Sequence, residues 1–305
     1  MDSFRKGVGS KAIPAGYPQG FGLEWLTKRS FRLEGHNFDI SCNFNDLLSA
    51  NQAGDPDQLY LFKSPEIIRH YLNLFNERTP RNIVELGIFR GGSVAFLQLL
   101  AKPAKLLDLE LSPDRVDVLD RFITTEKLDK KVRVEYGVDQ ADKDRVRQLT
   151  NEHFGAGRCI DLVVDDASHL LAPTRSSFET LFPLIRPGGS YIVEDFAASH
   201  LVVVEFLDDA LAGSESAQTS LTHAVRAGLG EDRQPLHLLA VEAMLAAMVA
   251  PGLIQKVIVD RQWLRIVRGG QVFDETHPFD LRGLATDHFA LLQATPSKVL
   301  SSFLE

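Results

Sequence analysis

Two short runs hold the residues best suited to chemistry. "VVDDASH", residues 163 to 169, ends an apolar stretch with Asp165, Asp166 and His169; "YIVEDF", residues 191 to 196, ends another with Glu194 and Asp195. Carboxylates gathered at neighbouring strand ends would raise one another's pKa and retain a proton. A hard divalent cation removes that penalty, because Mg²⁺ takes oxygen ligands and keeps positions for water or substrate. Adjacent strands lie about 5 Å apart, so acids at matching ends can share one ion. Asp166, Glu194 and Asp195 are therefore the expected metal ligands. His169, three residues past Asp166, is placed to act with it as the catalytic pair, the imidazole accepting a proton. Asp165 alternates onto the opposite face. It joins the cofactor side only as a supporting residue, with no direct role.

The surrounding pattern supplies strands to carry these acids. "KSPEIIRHYLNLF" opens a helix, with Ser64 as cap and Pro65 in the first turn. From there "NIVEL", "KLLDLEL", "VRVEYGV", "IDLVVDD" and "SYIVED" alternate with helical segments, the signature of a parallel sheet covered by helices. "LIQKVIVDRQWLRIVRGG" breaks that rhythm and reads as a hairpin turning at Asp260 and Arg261. The expected fold is α/β, a Rossmann-like, doubly wound, mostly parallel seven-stranded sheet with a C-terminal antiparallel hairpin. Residues 1–63 read as a loop-rich extension and possible substrate lid, 64–270 as the main domain and 271–305 as a tail. The connection 207–220 reads as mobile.

The first strand-to-helix turn, "ELGIFRGGS", lets backbone approach a ligand through Gly87, Gly91 and Gly92, beside Ser93. A dinucleotide fingerprint would need glycine at position 89, which is Phe89, and no P-loop GKS or GKT follows. Glu110 ends the second strand where a carboxylate can accept both hydroxyls of a ribose. Asp139, in "GVDQ", ends the third. Acids in register on three successive strands favour an adenosyl-type cofactor.

"VELGIFRGGS", "LELSPDR" and "DQ", followed by D-x-x-H and an E-D pair, resemble the class I S-adenosylmethionine-dependent methyltransferases. Within them the pattern is similar to the metal-dependent macrocin and mycinamicin sugar O-methyltransferases, a group related to cephalosporin hydroxylase. The resemblance covers roughly residues 64 to 270. It implies Glu85 and Gly87 near the methionine part of S-adenosylmethionine, Glu110 on the ribose, and Asp139 with Gln140 near adenine. It further implies Mg²⁺ at Asp166, Glu194 and Asp195, His169 as base, and transfer of a methyl group to a hydroxyl, on a sugar, of a small natural product. Two alternatives stay open: a catechol-type O-methyltransferase acting on an aromatic diol, and a cephalosporin-hydroxylase-like oxidoreductase. His200, five residues past the E-D pair, and Tyr60 in the extension are candidate substrate contacts.

The net charge of −8 gives no support to a nucleic-acid partner. Two cysteines outside any CxxC argue against a disulfide scaffold or a structural zinc site. No signal peptide is apparent, and the most apolar run, "LHLLAVEAMLAAMVAPG", is too short to span a bilayer. It reads as a buried or interface helix, compatible with a homo-oligomer, in a cytoplasmic protein whose partner is a small-molecule acceptor.

Overall fold

The computed structural model describes residues 17–41, 58–157, 159–196, 207–219, 222, 234–273 and 277–286. Two compact units make up the chain. One comprises Met1–Thr79, Phe89–Lys102 and Val116–Glu126; the other comprises Pro80–Ile88, Pro103–Arg115 and Lys127–Glu305.

In the first unit, β1 (Glu24–Thr27), β2 (Ser30–Leu33), β3 (His36–Ile40) and β4 (Leu59–Leu61) form a four-stranded sheet in that order, parallel only at β3 and β4. This replaces the loop-rich segment expected from the sequence. Its cause is alternation: Phe31, Leu33, Phe38 and Ile40 point inward between polar neighbours and are buried. Glu34 and Gly35 both take positive φ, +49° and +87°, giving a two-residue turn whose twist suits a hairpin. Helix α1 (Pro65–Glu77) begins as expected, with the Ile67 N–H donating to Ser64 Oγ at 3.2 Å, and buries Ile67, Ile68, Tyr71, Leu72 and Phe75. Helices α2 (Gly92–Ala101) and α3 (Asp117–Thr125) complete the unit. Phe96 of α2 lies edge-on to Phe31, Phe38 and Tyr71, while Phe31 stacks on Phe38 with centroids 4.9 Å apart. Such pairs each add about 0.5–1.5 kcal/mol beyond the area they bury.

The second unit holds a seven-stranded sheet built from β5 (Asn82–Leu86), β6 (Lys105–Glu110), β7 (Val132–Tyr136), β8 (Ile160–Asp165), β9 (Ile185–Glu194), β10 (Ile254–Val259) and β11 (Trp263–Arg268). Its order is β10-β11-β9-β8-β5-β6-β7, with β5 to β9 mutually parallel and β11 antiparallel to both neighbours. The chain leaves β5 toward β6 on one side and later returns to β8 on the other. The switch point therefore falls between β5 and β8, where open α/β sheets bind ligands at their carboxyl ends. Leu86 pairs in register with Asp165 at that point.

Helices α4 (Lys143–Phe154), α5 (Leu171–Leu181) and α6 (Leu238–Val249) belong to this unit. Val146, Leu149, Phe178, Leu181, Leu239 and Ala243 from these helices join Val84, Leu107, Val163 and Ile266 of the sheet in one buried core. The apolar helix α6 is only partly covered: Ala243 and Ala246 are buried while Val241, Met244 and Met248 are exposed. The final hairpin turns where expected, and Asp260 Oδ1 accepts the Gln262 and Trp263 N–H groups at 2.7 and 3.0 Å. In the stretch expected to be a mobile connection, residues 207–211 and 215–219 are helical. Among the described residues no helix is long and apolar enough to cross a membrane.

Candidate metal and cofactor site

The carboxyl end of β8 is tied to that of β5 by backbone. The Asp166 N–H donates to the Leu86 carbonyl at 2.9 Å. Gly87 has φ +82°, and a Cβ there would lie 2.4 Å from the Asp166 carbonyl oxygen and 2.7 Å from Ala167 Cα. The glycine turn and the D-x-x-H segment thus share space that only glycine leaves open. From the end of β9, the Asp195 N–H reaches the Gln262 carbonyl at 3.2 Å.

One ligand atom each from Asp166, His169 and Asp195 lie within 4.8 Å of one another, all on half-buried residues. His169 Nε2 is 3.9 Å from Asp166 Oδ1. His169 and Asp195 both hold positive φ, +54° and +49°. The two carboxylates supply the oxygen donors that a hard divalent ion takes, with the imidazole beside them. Glu194 is not in this cluster. It is 1% exposed and pairs in register with Trp263, and successive side chains on a strand point to opposite faces. The expected three carboxylates are thus represented by two, with the imidazole beside them.

Asp165 follows the same alternation into the interior, where it is 1% exposed. Its carboxylate accepts from Tyr191 OH at 2.6 Å, Ser177 Oγ at 2.9 Å and Gln140 Nε2 at 3.2 Å. Burial raises its pKa, an effect opposed by the hydrogen bonds from Tyr191 and Ser177. Burial, together with the Asp165 charge, pushes the Tyr191 phenol well above its usual value, so Tyr191 stays protonated as a donor. Gln140, expected beside adenine, is buried with both ends of its amide engaged: Nε2 on Asp165 and Ser177, Oε1 on the Ser168 N–H at 2.9 Å.

Glu110, the acid expected at the ribose, is the last residue of β6. Its carboxylate accepts the Ile88 N–H at 3.0 Å and the Ser112 N–H at 2.8 Å, which fixes it against the start of the glycine turn. Asp139 is exposed and accepts the Ala141 N–H at 2.8 Å. In the other unit, Gly91 takes φ +74° as the N-cap of α2, and Gly92 and Ser93 are buried. A Cβ on Gly92 would lie 2.0 Å from the Tyr60 carbonyl oxygen. The Tyr60 ring sits beside Phe89, and the Arg90 guanidinium lies 5.6 Å from the centroids of both. His200 lies outside the described residues.

Sequence reasoning passed over Asp108. It pairs in register with Glu85, and both residues are fully buried. Burial, with the charge of Glu85 beside it, holds the Asp108 carboxyl well above the usual carboxylate range. The signal was present in "KLLDLEL", an acid inside an otherwise apolar strand. Ser177 and Tyr191 gave no comparable sign.

A mostly parallel seven-stranded sheet closed by an antiparallel strand, with a glycine turn after its first parallel strand, is a Rossmann-like α/β fold. No family model matches the chain. It is similar to 8-demethyl-8-alpha-L-rhamnosyl tetracenomycin-C 2'-O-methyltransferase of Streptomyces olivaceus, 39% identical over 79 residues, which are 21% of this chain and 21% of that protein. It is also similar to mycinamicin VI 2''-O-methyltransferase of Micromonospora griseorubida, 28% identical over 139 residues, 43% of this chain and 31% of that one. The matched segments thus span well under half the length of these curated relatives. A distant likeness among solved structures is the MycE methyltransferase of mycinamycin biosynthesis, in complex with Mg and SAH. That match has a TM-score of 0.45 at 20% identity and covers 69% of this chain and 51% of that one.

Proposed function

We propose that this chain is a divalent-metal-dependent O-methyltransferase that moves a methyl group from S-adenosylmethionine to a hydroxyl of a small natural product, on a sugar. The carrying observation is the convergence of Asp166, His169 and Asp195 at the carboxyl ends of β8 and β9, beside the switch point of a Rossmann-like sheet. The relatives' names, each a sugar-modifying or macrolide O-methyltransferase, support the substrate class.

Methyl transfer is an in-line displacement at a sulfonium, so the acceptor oxygen has to be placed and relieved of its proton. When bound, S-adenosylmethionine supplies the electrophilic methyl, and the divalent ion stabilises negative charge on the acceptor oxygen. Asp166 and Asp195 would hold the ion, while Glu194, the third carboxylate expected from the sequence, lies outside their cluster. His169 takes the hydroxyl proton. Gly87, Glu110, Glu85 and Asp139 of the one unit are assigned to the cofactor; Gly91, Gly92 and Ser93 of the other carry the same assignment from the sequence pattern alone. Tyr60 and His200 are assigned to the acceptor. The chain works as a cytoplasmic enzyme on a small molecule.

Calorimetry with S-adenosylhomocysteine and Mg²⁺, followed by methyl transfer from labelled S-adenosylmethionine to rhamnosides and to catechols, tests this. EDTA-sensitive transfer to a rhamnoside supports the reading. Transfer confined to a catechol replaces the sugar with an aromatic diol, and absence of S-adenosylhomocysteine binding overturns it.

A further inference from the structure

We infer that Gln140 is a positioning residue for the metal centre, a clamp set by Asp165 that holds the D-x-x-H segment, rather than a reader of the cofactor's base. The inference rests on the metal reading above. Three features of the buried network carry it.

Asp165, Tyr191, Ser177 and Gln140 are all buried, and each donor among them has an acceptor within hydrogen-bond distance. The Asp165 carboxyl oxygens already accept from Tyr191 OH and Ser177 Oγ, and a carboxamide has one accepting and one donating end. Facing Asp165, the Gln140 amide must present its NH₂ group, at 3.2 Å from both carboxylate oxygens. Its carbonyl is thereby turned outward to the Ser168 N–H at 2.9 Å. The opposite orientation would set oxygen against carboxylate and N–H against N–H.

Ser168 lies between the two functional residues of the segment, two past Asp166 and one before His169. Its hydroxyl accepts the Leu170 N–H at 3.2 Å, so the hold on its backbone extends to the start of α5. His169 has φ +54°, a conformation that costs about 1–3 kcal/mol in a residue other than glycine and persists only when its surroundings impose it. The Gln140 bond to the preceding peptide is one such restraint. An adenine contact by the same amide would require breaking bonds already made within the chain.

Variants separate the two roles. Gln140→Met keeps the shape of the side chain and removes the amide. It should lower Mg²⁺ affinity, read by calorimetry in the presence of S-adenosylhomocysteine, by about tenfold or more, the usual cost of losing a group that orients a metal ligand. S-adenosylhomocysteine affinity should stay within about threefold, and the Ser168 amide should lose protection from hydrogen exchange. Gln140→Glu and Asp165→Asn each break the pairing and should show the same loss. The double variant Asp165→Asn/Gln140→Glu restores a donor facing an acceptor and leaves a glutamate oxygen for the Ser168 N–H, so it should recover Mg²⁺ affinity over either single change. A general packing defect would not be repaired by that exchange.

Loss of S-adenosylhomocysteine binding with Mg²⁺ affinity intact in Gln140→Met, or no recovery in the double variant, overturns the inference while the metal reading stands. A wild-type protein that binds no Mg²⁺ overturns both.

Discussion

Gly87 stands against the backbone of Asp166 so closely that a methyl group on its Cα would come within 2.4 Å of the Asp166 carbonyl oxygen. The obstacle is main chain, which cannot rotate away, and Gly87 holds φ +82° as well. Gly87→Ala should therefore lower stability by about 1–3 kcal/mol. It should also displace the D-x-x-H segment, so that Mg²⁺ affinity falls with it. Guanidinium unfolding and calorimetry read the two effects, and an alanine variant with wild-type values for both would contradict the contact.

His169→Asn isolates the base from the backbone. Asparagine tolerates the left-handed conformation better than most residues, so the turn should survive. The turnover number should fall by about 10²–10⁴ while S-adenosylhomocysteine still binds. Retention of most of the turnover would remove His169 from the proton step.

Asp195→Asn should weaken Mg²⁺ binding and move the metal dependence of methyl transfer to higher Mg²⁺ concentration. Asp166→Asn should do the same, since both carboxylates face the one cluster. Titration of activity with Mg²⁺ after EDTA treatment measures the shift, and an unchanged midpoint in both variants would move the ion elsewhere.

Asp108→Asn should stabilise the protein in alkaline solution. The folded chain holds the Asp108 carboxyl well above its usual range through burial and the neighbouring Glu85. Between the unfolded and the folded values the native state binds the extra proton, so stability is lost as pH rises through that window. Asparagine carries no such dependence and can donate to Glu85. The variant should gain stability over the wild type as pH rises from 4 to 8, in urea unfolding.

His153 behaves in the opposite sense. Burial, with the charges of Lys105 and Arg133, pushes its imidazole from 6.5 down to about 4. In that interval the unfolded chain takes up a proton that the folded chain refuses, so stability falls as pH drops. His153→Gln should flatten this part of the profile. Asp108 and Asp165 are common to both proteins, so the difference between the curves isolates the histidine.

The sheet was legible because its signals are local. Apolar runs such as "NIVEL" and "IDLVVDD" mark strands, and the acids at their ends mark the carboxyl edge. The final hairpin was equally plain from Asp260, whose side chain closes the turn. β1 to β4 went unread because strands of three to five residues, interrupted by Gly and Asn, leave too little period to see. At the site, the structure brings Asp166, His169 and Asp195 together and buries Asp165 away from them. Strand alternation applied to Glu194 would have separated it from Asp195. The resemblance implies Gln140 near adenine, whereas its amide bonds Asp165, 25 residues along the chain and reached only through the fold.

His169 and Asp195 both adopt the left-handed backbone, and this narrows what each position can become. A library randomised at these two sites would be filtered twice, by reactivity and by whether the chain can complete the bend. Survivors should concentrate among glycine and small polar side chains, and β-branched residues should vanish even where activity is not selected.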